Sequence, residues 1–140
     1  MSPPLLDHVQ LPMPPGGAAQ ARRFYGDVLG LPPLPAPDAH EGFESRLLRF
    51  GLDGMTLDLC EGRYTGVAPQ AHLALRLREL PAVLQRLRAA GHPVDAWALD
   101  GEGRASTEDP FGNRLEFIAL EPQPLLHAKD HHVTQLRISF

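Results

Sequence analysis

After a short proline-containing lead, residues 5–12 (LLDHVQLP) alternate. Val9 and Leu11 fall on one side, His8 and Gln10 on the other, the pattern of a half-buried strand. Pro14-Pro15-Gly16-Gly17 breaks that run. The period then lengthens: Ala21, Phe24, Tyr25, Val28 and Leu29 share a helical stripe across residues 18–29, and Gly30 supplies a C-cap. Residues 31–42 carry four prolines and predict a loop with a short edge strand. Residues 44–51 and 54–60 predict two strands about the turn Leu52-Asp53-Gly54, because Asp-Gly is a hairpin signal. In the second of these, Met55, Leu57 and Leu59 share one face and Thr56, Asp58 and Cys60 the other.

The same succession then restarts. In residues 71–77, Leu73, Leu75 and Leu77 oppose His72, Ala74 and Arg76. Residues 79–90 set Leu80, Val83, Leu84 and Leu87 on one helical stripe closed by Gly91. Residues 93–98 predict a short strand, 101–108 a polar strand or loop, and Asp109-Pro110-Phe111-Gly112-Asn113 a turn. In residues 114–120, Leu115 and Phe117 oppose Arg114, Glu116 and Ile118. The order is therefore strand, helix, strands, twice over, with the halves opening at His8 and His72. One helix per half covers one sheet face and leaves the other free to enclose something. The tail beyond residue 121 ends on an alternation of Leu136, Ile138 and Phe140, a terminal strand that adds to a sheet edge of its own chain or of a partner.

Composition narrows the function classes. A chain of 140 residues with 43% apolar and 21% charged positions suits one globular domain of two modules (about 1–62 and 70–121) with a C-terminal extension, 122–140. The net charge of −4 is interspersed, which argues against nucleic acid as a partner. No apolar run reaches the roughly 20 residues of a membrane span, and the N-terminus lacks the pattern of a signal peptide. The single cysteine, Cys60, excludes an internal disulfide framework and makes the cytoplasm the expected compartment.

The chemistry rests on which way residues face. His8, Asp58, His72 and Glu116 each lie on a predicted strand opposite its core apolars, and a one-residue slip would bury them among leucines. Each half supplies a histidine near its start and a carboxylate near its end. Two imidazoles with one or two carboxylates suit Zn, Ni, Fe or Mn. Any one of them alone reads as a solvated residue; their matched positions in two repeats read as a metal site. Arg76 and Arg114 share those faces and are candidates for binding an anionic substrate. Cys60 reads as a small buried thiol, Phe24 and Tyr25 as helix core, and His131 and His132 carry no assigned role.

His8-Val9-Gln10-Leu11, the run Ala21-Arg22-Arg23-Phe24-Tyr25 through Gly30-Leu31, Ala71-His72-Leu73-Ala74 and Asp109-Pro110-Phe111-Gly112-Asn113-Arg114-Leu115-Glu116-Phe117 resemble the vicinal oxygen chelate superfamily. That superfamily includes glyoxalase I, extradiol dioxygenases and the bleomycin-resistance proteins. The resemblance covers residues 5–120. It implies an α+β fold of two βαβββ modules, a cup-shaped mixed sheet with helices on its outer face, and a homodimer. It puts metal ligands at His8, His72 and Glu116. Asp58 stands where glyoxalase I has a glutamate as fourth ligand and is one methylene shorter; Glu61 is the fallback, on the opposite face unless a bulge intervenes. The implied function is a metal-dependent lyase or isomerase of the lactoylglutathione-lyase type, acting on a small oxygen-chelating substrate with Asp58 or Glu116 as its base. The alternatives are an Fe(II) extradiol dioxygenase, which needs only the three-residue set, and a metal-free drug-binding protein, for which Trp97, two tyrosines and six phenylalanines are a thin stacking supply.

Overall fold

A computed structural model describes residues 2–36, 47–62, 70–99, 101–120 and 137–139. The chain divides into two compact units, Met1–Gly66 and Val67–Phe140.

In the first unit, strand β1 (His8–Met13) is followed by a helix whose first turn, α1 (Ala18–Ala21), is α-helical. From Arg22 to Val28 it continues as a π-helix. The wider winding shows in the bond from Leu29 N–H to Phe24 O at 2.9 Å, five residues back. The predicted stripe survives this change: Ala21, Phe24, Tyr25, Val28 and Leu29 are all buried. Gly30 ends the helix at φ +80°, a left-handed conformation that costs glycine little. Then come β2 (Pro33–Leu34), β3 (Leu47–Leu52) and β4 (Met55–Glu61), in a sheet of order β1-β4-β3-β2 with β1 parallel to β4. Tyr25 packs on Phe50 of β3 with ring centroids 5.7 Å apart, and Leu57 and Leu59 are fully buried.

Two boundaries differ from the sequence reading. The first strand begins at His8, not residue 5, because its partner runs out: His8 pairs with Thr56, and residue 54 is already in the turn. Leu5 and Leu6 are consequently 95% and 61% exposed. The hairpin strands also sit one residue later, since Leu52 and Met55 pair and only Asp53-Gly54 turns.

The second unit repeats the plan with β5 (His72–Leu77), α2 (Leu80–Ala89), β6 (Asp95–Leu99), β7 (Glu102–Glu108) and β8 (Arg114–Ala119), in the order β5-β8-β7-β6. The fold is thus α+β, two βαβββ modules. The stretch 101–108, open between strand and loop in the sequence, is a strand. Helix α2 lies against β8 and buries Leu80, Val83, Leu84 and Leu87. The terminal alternation resolves as β9 (Arg137–Ser139), which pairs antiparallel with β6 of its own chain; Leu136 and Phe140 lie outside the described residues.

The turn between β7 and β8 shows why the Asp109–Asn113 motif has its sequence. Asp109 Oδ1 accepts from Phe111 N–H (2.9 Å) and Asn113 N–H (2.8 Å), and Oδ2 from Asn113 Nδ2 (2.7 Å). Gly112 takes φ +88°, where a side chain would be strained. Both Asp109 and Asn113 are buried, so these bonds replace water and lock the hairpin register that places Glu116.

Candidate metal centre

Strand pairing decides what each candidate side chain meets. In the first unit, β1 sets Gln10 opposite Asp58, and β3 sets Arg49 opposite Asp58 from the other side. Arg49 Nε donates to Asp58 Oδ1 at 2.8 Å and Nη2 to Oδ2 at 2.7 Å, and Thr56 Oγ1 reaches Oδ1 at 3.4 Å. Asp58 is 1% exposed. The hydrogen bond to Asp58 raises the Arg49 pKa above its ordinary value, burial opposes this, and the charges of Asp58 and Asp7 add to the rise. Both carboxylate oxygens therefore accept from Arg49 in a part-buried, bidentate ion pair. Glu61, the fallback, accepts from Gly16 N–H at 2.7 Å and ties the end of β4 to the glycine turn after β1.

His8 sits at the start of β1 with Nδ1 2.8 Å from Asp7 Oδ2. His72 sits at the start of β5 with Nδ1 3.0 Å from the carbonyl oxygen of Gln70. Gln70 turns that carbonyl toward the ring by adopting φ +65°, a conformation uncommon for any residue but glycine. Carbonyl and carboxylate oxygens only accept, so in each bond Nδ1 carries the hydrogen. A neutral imidazole in that tautomer turns a lone pair outward on Nε2, as metal-binding histidines do.

On the second sheet, register sets His72 opposite Arg114 and Ala74 opposite Glu116. Glu116 Oε2 reaches diagonally to within 3.4 Å of His72 Nε2. Two acceptors that close repel unless a proton or a cation sits between them. Two donors bound to one metal at about 2.0–2.2 Å lie roughly 2.8–3.6 Å apart for bond angles between octahedral and tetrahedral. The pair therefore fits a divalent metal. Glu116 Oε1 is held by Arg104 Nη1 at 3.0 Å, Arg104 Nη2 holds Glu102 Oε2 at 3.1 Å, and Arg76 Nη1 lies 3.7 Å from Glu102 Oε1.

Of the four predicted ligands, His72 and Glu116 come together within their unit, whereas Asp58 is joined to Arg49 and His8 to Asp7. Among the described residues, no three or more His, Cys, Asp or Glu side chains group as a metal-holding set. Arg114 lies on the rim of an open hollow of about 460 Å³, lined also by Val94, Asp95, Ser106 and Glu108. Ser106 and Arg114 of its lining are the register partners of Glu116 and His72, but neither His72 nor Glu116 lines the hollow itself. Arg76 stands apart from it, half exposed. Cys60 is a free, half-buried thiol. His131 and His132 lie outside the described residues.

Sequence reading missed Arg49, Arg104 and Glu102. The signal was present in part: Glu102, Arg104 and Ser106 alternate in a stretch read as polar strand or loop. Which carboxylate each arginine meets depends on cross-strand register.

A family model matches residues 5–117: the Glyoxalase/Bleomycin resistance protein/Dioxygenase superfamily. The chain belongs to this superfamily. Among solved structures, a protein from Bacillus anthracis assigned to the glyoxalase family is 30% identical, with 86% of this chain and 100% of that chain covered and a TM-score of 0.72. The oxidase ChaP-H2 is 25% identical (84% and 94% covered, TM-score 0.62). A lactoylglutathione lyase from Agrobacterium tumefaciens is 18% identical (85% and 96% covered, TM-score 0.61) and shares the fold. No curated protein matches the chain. Among the described residues, no helix is long and apolar enough to cross a membrane.

Proposed function

We propose that this superfamily member holds a divalent metal through His8, His72 and Glu116 and acts oxidatively on a small molecule bearing two neighbouring oxygens. The observation that carries the reading is the convergence of His72 Nε2 and Glu116 Oε2 at 3.4 Å, with the other nitrogen and the other oxygen each already bonded. His8 joins the set on the family resemblance alone. Asp58 is left out, because both its oxygens already accept from Arg49 and a metal would compete with that half-buried guanidinium for them.

The loss of Asp58 moves the reaction class. A lactoylglutathione-lyase reaction moves a proton between adjacent carbons and needs a carboxylate free to take and return it. Asp58 is held at both oxygens by Arg49, and Glu116 is held at one by Arg104. A two-histidine, one-carboxylate set suits Fe(II) and leaves positions for substrate, and the metal would supply Lewis acidity toward the paired oxygens. The oxidase at 25% identity supports the same direction. The hollow lined by Ser106 and Arg114, the strand partners of Glu116 and His72, receives the substrate body, and Arg114 places positive charge for an anionic substituent. Arg76 is a second such cation at the far end of the charge chain.

A second reading has its own support. A proton between His72 and Glu116 makes them an ordinary ion pair, which needs no metal and fits a small-molecule binding protein. Elemental analysis of purified protein, and titration of the metal-free protein with Fe(II), Mn, Ni and Zn, separate the two. The expectation is one metal per chain, lost in His72→Ala and Glu116→Ala and kept in Asp58→Asn. If no metal binds, the binding-protein reading takes over. Oxygen consumption with catechol-type substrates against hemithioacetal isomerisation then tests the reaction class. A homodimer, proposed from the family resemblance, is checked by light scattering.

A further inference from the structure

The charge chain beside Glu116 has a feature the three-ligand reading does not use. Arg104 lies on β7 opposite Ile118, two pairs along from Ser106 and Glu116 and so on the same face, and its guanidinium reaches Glu116 diagonally. It spends Nη1 on Glu116 Oε1 at 3.0 Å and Nη2 on Glu102 Oε2 at 3.1 Å. Its Nε is buried and donates to no acceptor among the described residues. Leaving a buried donor unmet costs free energy, so the side chain is placed by its two carboxylates and not by its own preference. A planar guanidinium fixed at two points is a rigid reference for a third group.

We infer that Arg104 is the positioning residue of the metal centre: it takes one oxygen of Glu116 and so presents the other, alone and correctly aimed, beside His72 Nε2. This inference rests on the metal reading above. Its geometric content is specific. With one lone pair of Oε1 taken by Arg104, Oε2 is the oxygen of Glu116 that a metal beside His72 would meet. Glu102 acts one step further out by holding the second limb of Arg104, and Arg76 leans on Glu102 from β5 at 3.7 Å. Groups that orient a metal ligand from outside in this way contribute ten- to a hundredfold in metal affinity.

The test is cobalt(II) titration of the metal-free protein, read by affinity and by the visible absorption spectrum, which reports coordination geometry. Arg104→Met is expected to bind cobalt ten- to a hundredfold more weakly and with an altered spectrum. Arg104→Lys, which keeps one hydrogen bond and the charge, recovers part of the affinity, and Glu102→Gln shifts both readouts in the Arg104→Met direction by less. Melting of each metal-free variant shows that the fold persists. Wild-type affinity and spectrum in Arg104→Met, with binding abolished in His72→Ala, overturns the positioning role and leaves the metal reading standing. A wild-type protein that takes up no metal overturns both.

Discussion

Replacing Arg49 by methionine removes the cation and keeps most of the side-chain volume. What remains is a carboxylate whose side chain is 2% exposed and has lost charge-assisted bonds of 2.8 and 2.7 Å. The 3.4 Å contact from Thr56 Oγ1 cannot replace them. Breaking a buried pair from one side costs about 3–5 kcal/mol, because the orphaned charge stays desolvated. For a chain of this length that corresponds to a fall in Tm of roughly 10–20 °C. Replacing both partners, Arg49→Met with Asp58→Leu, should return most of that loss, since an apolar pair strands no charge. The assay is thermal and urea unfolding of wild type, both single variants and the double variant. The reasoning is refuted if Arg49→Met melts within a degree or two of wild type, or if the double variant is no more stable than the singles. Metal titration of Asp58→Asn belongs to the same experiment. Reduced stoichiometry in a variant that remains folded would make Asp58 a ligand and return the lyase reading to first place.

Asp109→Ala removes the acceptor of Phe111 N–H, Asn113 N–H and Asn113 Nδ2 in a buried turn, and urea titration should show a loss of about 2–4 kcal/mol. Leu57→Ala, at a fully buried position opposite Phe50, should cost about 2–5 kcal/mol in the same assay. Gln70→Pro fixes φ near −65° where the chain now takes +65°, and so moves the carbonyl that orients His72. Calorimetric titration should show metal bound roughly ten- to a hundredfold more weakly. Unaltered binding would show that this carbonyl does not orient the ring.

Much of the architecture was legible along the chain. The change from period two to period 3.6 and back, twice, sets the order of elements, and the leucines and aromatics of each stripe are buried as their spacing requires. The glycines after each helix and the Asp109–Asn113 turn could be read too, because they answer to local backbone geometry. The π-helical winding of Arg22–Val28 could not, since α and π turns bury nearly the same stripe. Alternation likewise put His72 and Glu116 on the polar side of their strands. It could not say whom they meet there. That depends on register between strands far apart in sequence, which pairs Asp58 with Arg49, aims Glu116 at His72 and brings Arg104 to its other oxygen. A sequence therefore fixes which chemical groups are available, through local periodicity. Only tertiary pairing decides which of them meet: here both oxygens of Asp58 accept from Arg49, and Glu116 divides its two between Arg104 and His72.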